Sequence, residues 1–555
     1  MVKEGKTMAT VEFSKAVLEQ IIGKKLTEAD YHSVAMFGCP LERIDKQTVC
    51  YEIFPNRPDL LSHEGLGRAL RTFWLEPGLR SYTTAPSGLS IKIEQNVQKI
   101  RPAISAAYIR GVKLTSSSIA SLIQFQEKLA ETVGRKRAKA AIGIHDGTKI
   151  KGPLTYKAVK SDAKFLPLEA TKPLSLKQIT EIHPKGLEYR HILTGQLWPV
   201  IVDRFGHIIS FPPIINSKAT QITTKTTELF IEVTGTNQST VDQITAIIAT
   251  SLAESGAKIF TVNVEGRQTP NLENRQMALD IDYVNKLLDL DLTPSEIGRF
   301  VAKMGFGWDG KSVTIPPYRV DVMHPIDIVE DIAIAIGYQN FEPRIPKIAT
   351  IAQRAKDEQF KQYVKNIMTS LGFQEVVTMI LSNEAEQFKN MAIKQNPVCI
   401  AANPLTKECT ICRPALLPSL LKVFSQNRHY ELPQKIFEIG DVVTLNPKAE
   451  TGADNFSMLS AAICDRVVNY NQAAATLDVL MREMGINYSI RAVKHPTFID
   501  GRTGAVFVGK IAAGFVGEIA PTVLLAWGLE NPVIAFEINM SLLMELFYQP
   551  SKKSM

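Results

Sequence analysis

Asp321, Asp327, Glu330 and Asp331 crowd four carboxylates into one short stretch of the chain. On a helix the last three fall at i, i+3 and i+4, and so share a face. Like charges at that spacing repel by about 0.2–0.5 kcal/mol per pair, so something positive should offset them. Three readings stay open at this point. A Mg²⁺ ion takes oxygen ligands of this kind, with waters or phosphates completing its octahedron. An arginine-rich partner surface would serve equally. So would the positive end of the helix dipole, where acidic residues are favoured. A second candidate region is the pair of segments Ile208–Ser217 and Phe230–Asn237. Both run from apolar residues into small polar ones beside Gly or Pro. They could line a pocket with hydroxyls and backbone N–H groups, or could simply be good turns. A third feature is the basic run Arg135-Lys136-Arg137-Ala138-Lys139, which reads as a solvated face or as a contact for a polyanion. Cys409 and Cys412 have the spacing of half a zinc site, but no second such pair and no nearby histidine accompany them. The phosphate-gripping Gly-x-x-x-x-Gly-Lys loop, the Gly-x-Ser-x-Gly elbow and metal-type histidine spacings are all missing.

The elements that must position these residues follow from periodicity and punctuation. Pro325 suits the first turn of a helix, having no N–H to lose there, and Val329, Ile332, Ala333 and Ile336 give that helix its apolar stripe. A strand at Val11–Phe13 and a helix at about 14–22 open the chain. The turn Pro55-Asn56-Arg57-Pro58 precedes a helix over 60–73, for which Asp59 is the expected cap. From about 85 to 266, strands at Ile91–Ile93, Ala107–Val112, Pro199–Asp203 and Ile208–Phe211 mix with amphipathic helices at 119–131 and 241–253. The polar stretch 267–271 reads as a linker, followed by helices near 281–288 and 293–304. Beyond Pro346 come a helix at 360–371, a hairpin of 505–508 with 511–516, a strand at 533–538 and a last helix at 540–547. The expected class is therefore α+β and multidomain, with sections at 1–85, 86–266, 267–345 and 346–555. The third is small, mainly helical and winged-helix-like.

A chain of 555 residues is too long for one core, and its charge of +7 is only a mild basic bias. Six cysteines in this length do not make a disulfide scaffold. The opening residues do not form a signal peptide and no run of about 18 apolar residues occurs, so a cytoplasmic protein without a membrane span is expected.

Several segments taken together resemble one family. They are Asn56-Arg57-Pro58-Asp59-Leu60-Leu61-Ser62-His63-Glu64-Gly65-Leu66, Gly134-Arg135-Lys136-Arg137 with Ala141-Ile142-Gly143-Ile144-His145-Asp146, and His183-Pro184-Lys185-Gly186-Leu187-Glu188-Tyr189. Pro212-Pro213-Ile214-Ile215-Asn216-Ser217, Thr234-Gly235-Thr236 and Tyr318-Arg319-Val320-Asp321-Val322-Met323-His324-Pro325 continue the pattern. Leu416–Leu421, Gln434–Gly440, Gly517–Pro521 and Trp527–Leu529 complete it. The chain resembles the beta subunit of phenylalanyl-tRNA synthetase in its short archaeal and eukaryotic form, from about Met8 to Leu546; residues 1–7 have no counterpart.

The resemblance implies an enzyme of two alpha and two beta subunits. In it alpha binds ATP and phenylalanine and charges tRNA(Phe). Beta carries an editing domain, here 86–266, and a class II synthetase-like antiparallel-sheet core without catalytic motifs, here 346–555. It further implies that Asp321, Asp327, Glu330 and Asp331 hold a Mg²⁺ ion shared with alpha. A class II site needs arginines to pair bidentately with ATP phosphates. No arginine follows Arg502, and Arg413 lies in Ile411-Cys412-Arg413-Pro414 without an acidic follower, which agrees with a silent core. Editing would remove tyrosine mis-attached to tRNA(Phe), since an apolar pocket rejects an added hydroxyl poorly. Glu232 is the residue expected to receive the tyrosyl hydroxyl, with Ser210 and Thr234 beside it. A free-standing synthetase and a non-enzymatic tRNA-binding or assembly module with a decayed editing site are the rival classes.

Overall fold

A computed structural model describes residues 10–548. Residues 1–9, on which the absence of a signal peptide and the extra N-terminal segment were read, lie outside the described residues, as do 549–555. The chain divides into two compact units, Met1–Ile345 and Pro346–Met555.

The first unit opens with a small antiparallel sheet in which Thr48–Glu52 lies between Thr10–Ser14 and Leu41–Ile44. Val11 and Phe13 turn inward while Glu12 faces out, as a half-buried strand requires. The helix His63–Trp74 starts later than the sequence suggested. Pro58–Leu60 forms a 3₁₀ turn, so the cap is Ser62, whose hydroxyl accepts from the Gly65 N–H at 2.9 Å. Asp59 is instead buried in an ion pair.

A ten-stranded mixed sheet dominates the unit. Its path runs Ile215–Asn216, Ile208–Phe211, Leu197–Val202, Leu154–Lys160, Thr84–Ile93, Lys258–Val264, Ala103–Arg110, Glu228–Gly235, Ala140–Asp146, with Arg267–Thr269 added beside Lys258–Val264. That last strand corrects the linker expected at 267–271. Glu265 and Gly266 both take positive φ (48° and 85°), the geometry of a two-residue hairpin turn, and return the polar chain antiparallel onto the sheet. Thr269 is buried there and donates its hydroxyl to the Ala106 carbonyl at 2.8 Å. Glu228–Gly235 is buried on both faces. Leu229, Ile231 and Val233 join the core beneath the helix Gln238–Glu254, while Phe230 belongs to a second cluster on the opposite side. The sheet curls until its two terminal strands meet, where Asn216 Nδ2 donates to the Ile144 carbonyl at 3.3 Å.

The last section of this unit is a three-stranded sheet (Arg275–Ala278, Ser312–Ile315, Gly307–Trp308) with helices Ile281–Leu288, Pro294–Lys303 and Pro325–Ile336. Thr293 and Glu296 close a capping box at the second of these. One hydrophobic cluster, from Val11 to Ala335, runs through the N-terminal sheet, the helical side of the large sheet and this last section.

The second unit is built on a seven-stranded sheet in the order Gln374–Glu375, Gln434–Leu445, Ala453–Cys464, Val533–Asn539, Ile511–Ile519, Phe498–Val508, Ser489–Ala492. Only the first pairing is parallel. Alternation along Val533–Asn539 shows why it needs cover on both sides. Ile534, Phe536 and Ile538 pack with the helices Lys356–Ser370, Tyr470–Glu483 and Met540–Tyr548, whereas Val533 and Ala535 pack with Leu417–Gln426 and Pro521–Ala526. The expected hairpin turns at Gly509-Lys510, with longer strands than the pattern suggested. Among the described residues no helix is long and apolar enough to cross a membrane.

Candidate functional site

Where the ends of the large sheet meet, they enclose a cavity of about 300 Å³ lined by residues that include Ser210, Asn216, Thr220 and Glu232. Ser210 leaves the strand Ile208–Phe211 and Glu232 the strand Glu228–Gly235, which lie far apart along the sheet path and face each other only because it curls. The Ser210 hydroxyl donates to Glu232 Oε1 at 2.7 Å and lies 3.2 Å from Asn216 Oδ1. Glu232 Oε2 is buried with no hydrogen-bond partner. So is Nε2 of His145, a fully buried ring whose Nε2 lies 3.8 Å from Glu232 Oε1. His145 Nδ1 is held by the Thr220 hydroxyl at 2.8 Å. A buried polar atom left unpaired costs about 1–3 kcal/mol. Of the two, Glu232 is a lining residue of the cavity and His145 is not; the His145 ring lies beside the carboxylate on the same strand face as Gly143. Gly143 makes the space for them: a Cβ there would lie 2.2 Å from Glu232 Oε1 and 2.9 Å from His145 Nε2. Sequence reasoning selected Ser210 and Glu232 and missed His145 and Gly143. The available signal was their two-residue spacing on one strand, Ala140–Asp146, which puts both on the same face.

Thr234 shares a face with Glu232 but is not among the cavity's lining. Its hydroxyl accepts from Arg101 Nε at 3.1 Å, and its carbonyl accepts from Arg101 Nη2 at 2.7 Å. The same buried guanidinium takes the carbonyls of Arg137 and Ala138 at 3.1 and 3.4 Å. This anchors an unusual backbone. Arg135, Lys136 and Arg137 are all left-handed, with φ of 47°, 51° and 67°. Such conformations cost of order 1–3 kcal/mol each and persist only when their surroundings over-determine them. Arg137 is not a solvated charge: it donates to the carbonyls of Pro213 and Ile214 at 3.1 and 2.9 Å and stacks 4.2 Å over Tyr189, fixing one wall of the cavity. Arg135 and Lys136 are exposed.

The acidic helix is arranged differently from a metal site. Arg319 is buried and bridges two of its carboxylates, reaching Asp321 at 2.9 and 2.7 Å and Asp331 at 2.5 Å. Burial raises the Asp321 carboxyl, but the Arg319 guanidinium more than offsets this and its pKa ends below the usual value. For Asp331, burial dominates and the pKa ends above the usual value despite the same arginine. Asp327 Oδ2 accepts from the N–H groups of Met323 and His324, both at 2.8 Å, as the N3 partner of a capping box on His324. Glu330 is exposed. Among the described residues no group of three or more His, Cys, Asp or Glu side chains is placed to hold a metal ion. The oxygen donors suit Mg²⁺ in kind. In this chain by itself Arg319 stands between two of them and the helix cap takes a third. The balancing cation is internal, and the N-terminal signature extends the network. Arg57 pairs with Asp59 at 2.9 Å, and Arg68 lies 4.0 Å from Asp59 and 3.5 Å over the Tyr318 ring.

In the second unit Arg413 is equally committed. It donates to the Asp441 carbonyl at 3.0 Å, Thr378 Oγ1 at 2.6 Å and Glu438 Oε1 at 2.9 Å, and is 1% exposed. No fork is left to grip a phosphate. Cys409 and Cys412 are free thiols; Cys412 faces Cys399 across a backbone bridge instead.

Comparison with known proteins covers nearly the whole chain. Residues 89–255 match the B3/4 domain, 277–338 the tRNA synthetase B5 domain, and 342–540 the phenylalanyl tRNA synthetase beta chain CLM domain. The chain is 41% identical to the phenylalanine–tRNA ligase beta subunit of Archaeoglobus fulgidus, over 94% of this chain and 96% of that one. It is 37% identical to that of Methanococcoides burtonii, over 93% and 98%. A crystal structure of an N-terminal fragment of the phenylalanyl-tRNA synthetase beta subunit from Pyrococcus horikoshii superposes with a TM-score of 0.57 at 35% identity, covering 59% of this chain and 99% of the fragment.

Proposed function

Since the chain belongs to the family of phenylalanine–tRNA ligase beta subunits, we propose that it is the partner of a catalytic alpha subunit, and that its cavity at the sheet seam clears tyrosine mis-attached to tRNA(Phe). In this reading two alpha and two beta chains assemble, and alpha binds ATP and phenylalanine. The beta core over 346–555 serves as a class II-like scaffold, and the section over 267–345 as a winged-helix-like module. The internal commitment of Arg413 supports a core without phosphate chemistry.

The observation that carries the editing reading is the buried, unpaired Glu232 Oε2 at a cavity of about 300 Å³, with Ser210 on the other carboxylate oxygen. A phenol oxygen needs one acceptor and one donor. The phenol O–H donates to Glu232 Oε2, the carboxylate oxygen left free in the unliganded chain. Ser210 holds the other carboxylate oxygen in place. Phenylalanine in the same pose leaves that oxygen unpaired, at about 1–3 kcal/mol, which is roughly a fivefold or larger loss. The ester then lies toward the cavity mouth. A water adds to its carbonyl carbon, the bond to the ribose oxygen breaks, and tyrosine and free tRNA leave.

The test is deacylation of Tyr-tRNA(Phe) and Phe-tRNA(Phe) by the full chain. Glu232→Ala should slow tyrosine release about tenfold or more while leaving the slow phenylalanine release unchanged. Equal tyrosine release by both proteins would refute the assignment of Glu232. No tyrosine release by the wild-type chain, alone or with alpha, would favour the non-enzymatic module. Phenylalanine-dependent ATP–pyrophosphate exchange should appear only when alpha is added.

A further inference from the structure

The six cysteines of the chain fall into two groups. Cys39, Cys50 and Cys464 are buried, and burial pushes all three thiols up, to about 12 at Cys39 and about 11 at Cys464. A thiol held protonated in this way is inert. Cys399, Cys409 and Cys412 are only partly buried, and all three lie in one stretch of the second unit.

Backbone pairing sorts these three. The Cys412 N–H donates to the Cys399 carbonyl and the Ala401 N–H to the Thr410 carbonyl, both at 2.9 Å. Ile400 is therefore opposed to Ile411, and one step along the antiparallel ribbon Cys399 is opposed to Cys412. Opposed residues share a face of the ribbon, with Cα atoms about 4.5–5.5 Å apart. A disulfide spans about 4.4–6.8 Å between Cα atoms, so this register brings the two thiols within bonding reach. Alternation turns Val398 and Ile411 the other way, into an apolar cluster with Phe388. The neighbouring thiol is also felt electrically: burial raises Cys412 most, and Cys399 raises it further. Continued into the turn, the same register sets Cys409 opposite Ala402, with no thiol to meet.

Both backbones are held. Arg413 is 1% exposed, and its N–H donates to the Ile380 carbonyl at 2.9 Å. Leu381 pairs with Cys412 on the side away from Cys399. Two groups fixed at this spacing react with each other far faster than with anything free in solution.

We infer that Cys399 and Cys412 form an oxidation site, a thiol pair that hydrogen peroxide converts to a reversible cross-strand disulfide. One thiolate attacks a peroxide oxygen. The O–O bond breaks, the sulfur becomes a sulfenic acid, and the departing hydroxide takes the thiol's proton and leaves as water. The second thiolate attacks that sulfur, the S–S bond forms, and the sulfenic hydroxyl takes the second proton and leaves as water. Two electrons pass from the sulfurs to the peroxide, and a small-molecule thiol returns them. The bond closes the base of the loop over 400–411, which carries the fully exposed Leu405.

The test is peptide mapping by mass spectrometry of the full chain after hydrogen peroxide, with remaining thiols capped before digestion. Trypsin cuts after Lys394 and Lys407, so Cys399 lies in the peptide 395–407 while Cys409 and Cys412 share the one that starts at Glu408. The two peptides should be joined, should stay joined in Cys409→Ser, should part with dithiothreitol, and should not join in Cys412→Ser. Hydrogen exchange at the Ala401 N–H should slow about tenfold or more in the oxidised chain. A bond between Cys409 and Cys412 inside one peptide would overturn the assignment. So would loss of the join in Cys409→Ser, sulfinic acid at either cysteine without a cross-link, or unreacted thiols in the wild-type chain. The wild-type map decides by itself, whether or not each variant folds.

Discussion

Gly143 is the most exacting test of the cavity's construction. Its backbone is ordinary strand, so alanine meets no conformational penalty and any effect is steric. The added Cβ would stand 2.2 Å from Glu232 Oε1, 2.8 Å from its Cδ and 2.9 Å from His145 Nε2. Non-bonded contacts settle near about 3.5 Å, so the carboxylate must retreat by about 1 Å. It is 2% exposed and anchored by the 2.7 Å hydrogen bond from Ser210, so it can retreat only into the seam cavity and at the cost of that bond. Overpacking of this kind costs about 1–3 kcal/mol, and loss of a hydrogen bond to a charged group about 1.5–3 kcal/mol. These overlap, so Gly143→Ala should destabilise by about 2–4 kcal/mol and lower the melting temperature by about 2 °C or more per kcal/mol. Tyr-tRNA clearance should fall with it. The decisive measurement is a double-mutant cycle by urea unfolding. Glu232→Ala removes the atoms that the new methyl strikes, so the double variant should recover about 1–2 kcal/mol relative to the sum of the singles. Additivity within about 0.5 kcal/mol would refute the reasoning, because it would mean that Gly143 and Glu232 do not compete for space.

Three further outcomes follow from the same structure. His63 accepts the Ser14 N–H on Nε2 at 2.8 Å, and burial pushes its pKa down to about 4. Its stabilising contribution is therefore complete above the unfolded value of about 6.5 and is lost as pH falls toward 4, by roughly 3 kcal/mol; urea midpoints from pH 7 to 4.5 should show this, and His63→Gln should flatten it. Burial raises Glu537 to about 7, even though the N–H groups of Leu417 and Leu416 and the charge of Arg413 favour its anion. A carboxyl raised in the folded state costs stability as pH rises from about 4.5 to 7, so Glu537→Gln should stabilise at pH 8 but not at pH 4.5, read by hydrogen exchange across Leu417–Gln426. Because Arg319 supplies the cation at the acidic helix, EDTA or added Mg²⁺ should leave the melting temperature of the isolated chain unchanged. Arg319→Met should lower stability by about 3–5 kcal/mol through the uncompensated Asp321 and Asp331.

What the sequence determined by itself was local. Short apolar runs marked the strands at Ile208–Phe211 and Val533–Ile538, Pro325 marked the start of the acidic helix, and glycine at 509 marked the hairpin, because each signal lies within a few covalent neighbours. Other short segments, Asn56–Leu66 and Tyr318–Pro325 among them, carried the family resemblance. The helix start at Ser62 and the strand at 267–269 were missed. Both depend on a turn geometry, a 3₁₀ turn in one case and two positive-φ residues in the other, that polar composition does not declare.

Only the tertiary structure decided which charges face one another. The carboxylates of the acidic helix were legible as a group, but not that Arg319 lies among them or that Arg57 and Asp59 from the N-terminal signature extend the network. Likewise Ser210 and Glu232 were chosen separately, and nothing in their spacing brings them to 2.7 Å. Their meeting follows from the curl of a ten-stranded sheet whose ends close on each other, while Gly143 and His145 are placed beside Glu232 by the register of the neighbouring strand. Curl accumulates from strand twist and from burying both faces of the sheet. Those are sums over the whole domain, and no short window of sequence contains them.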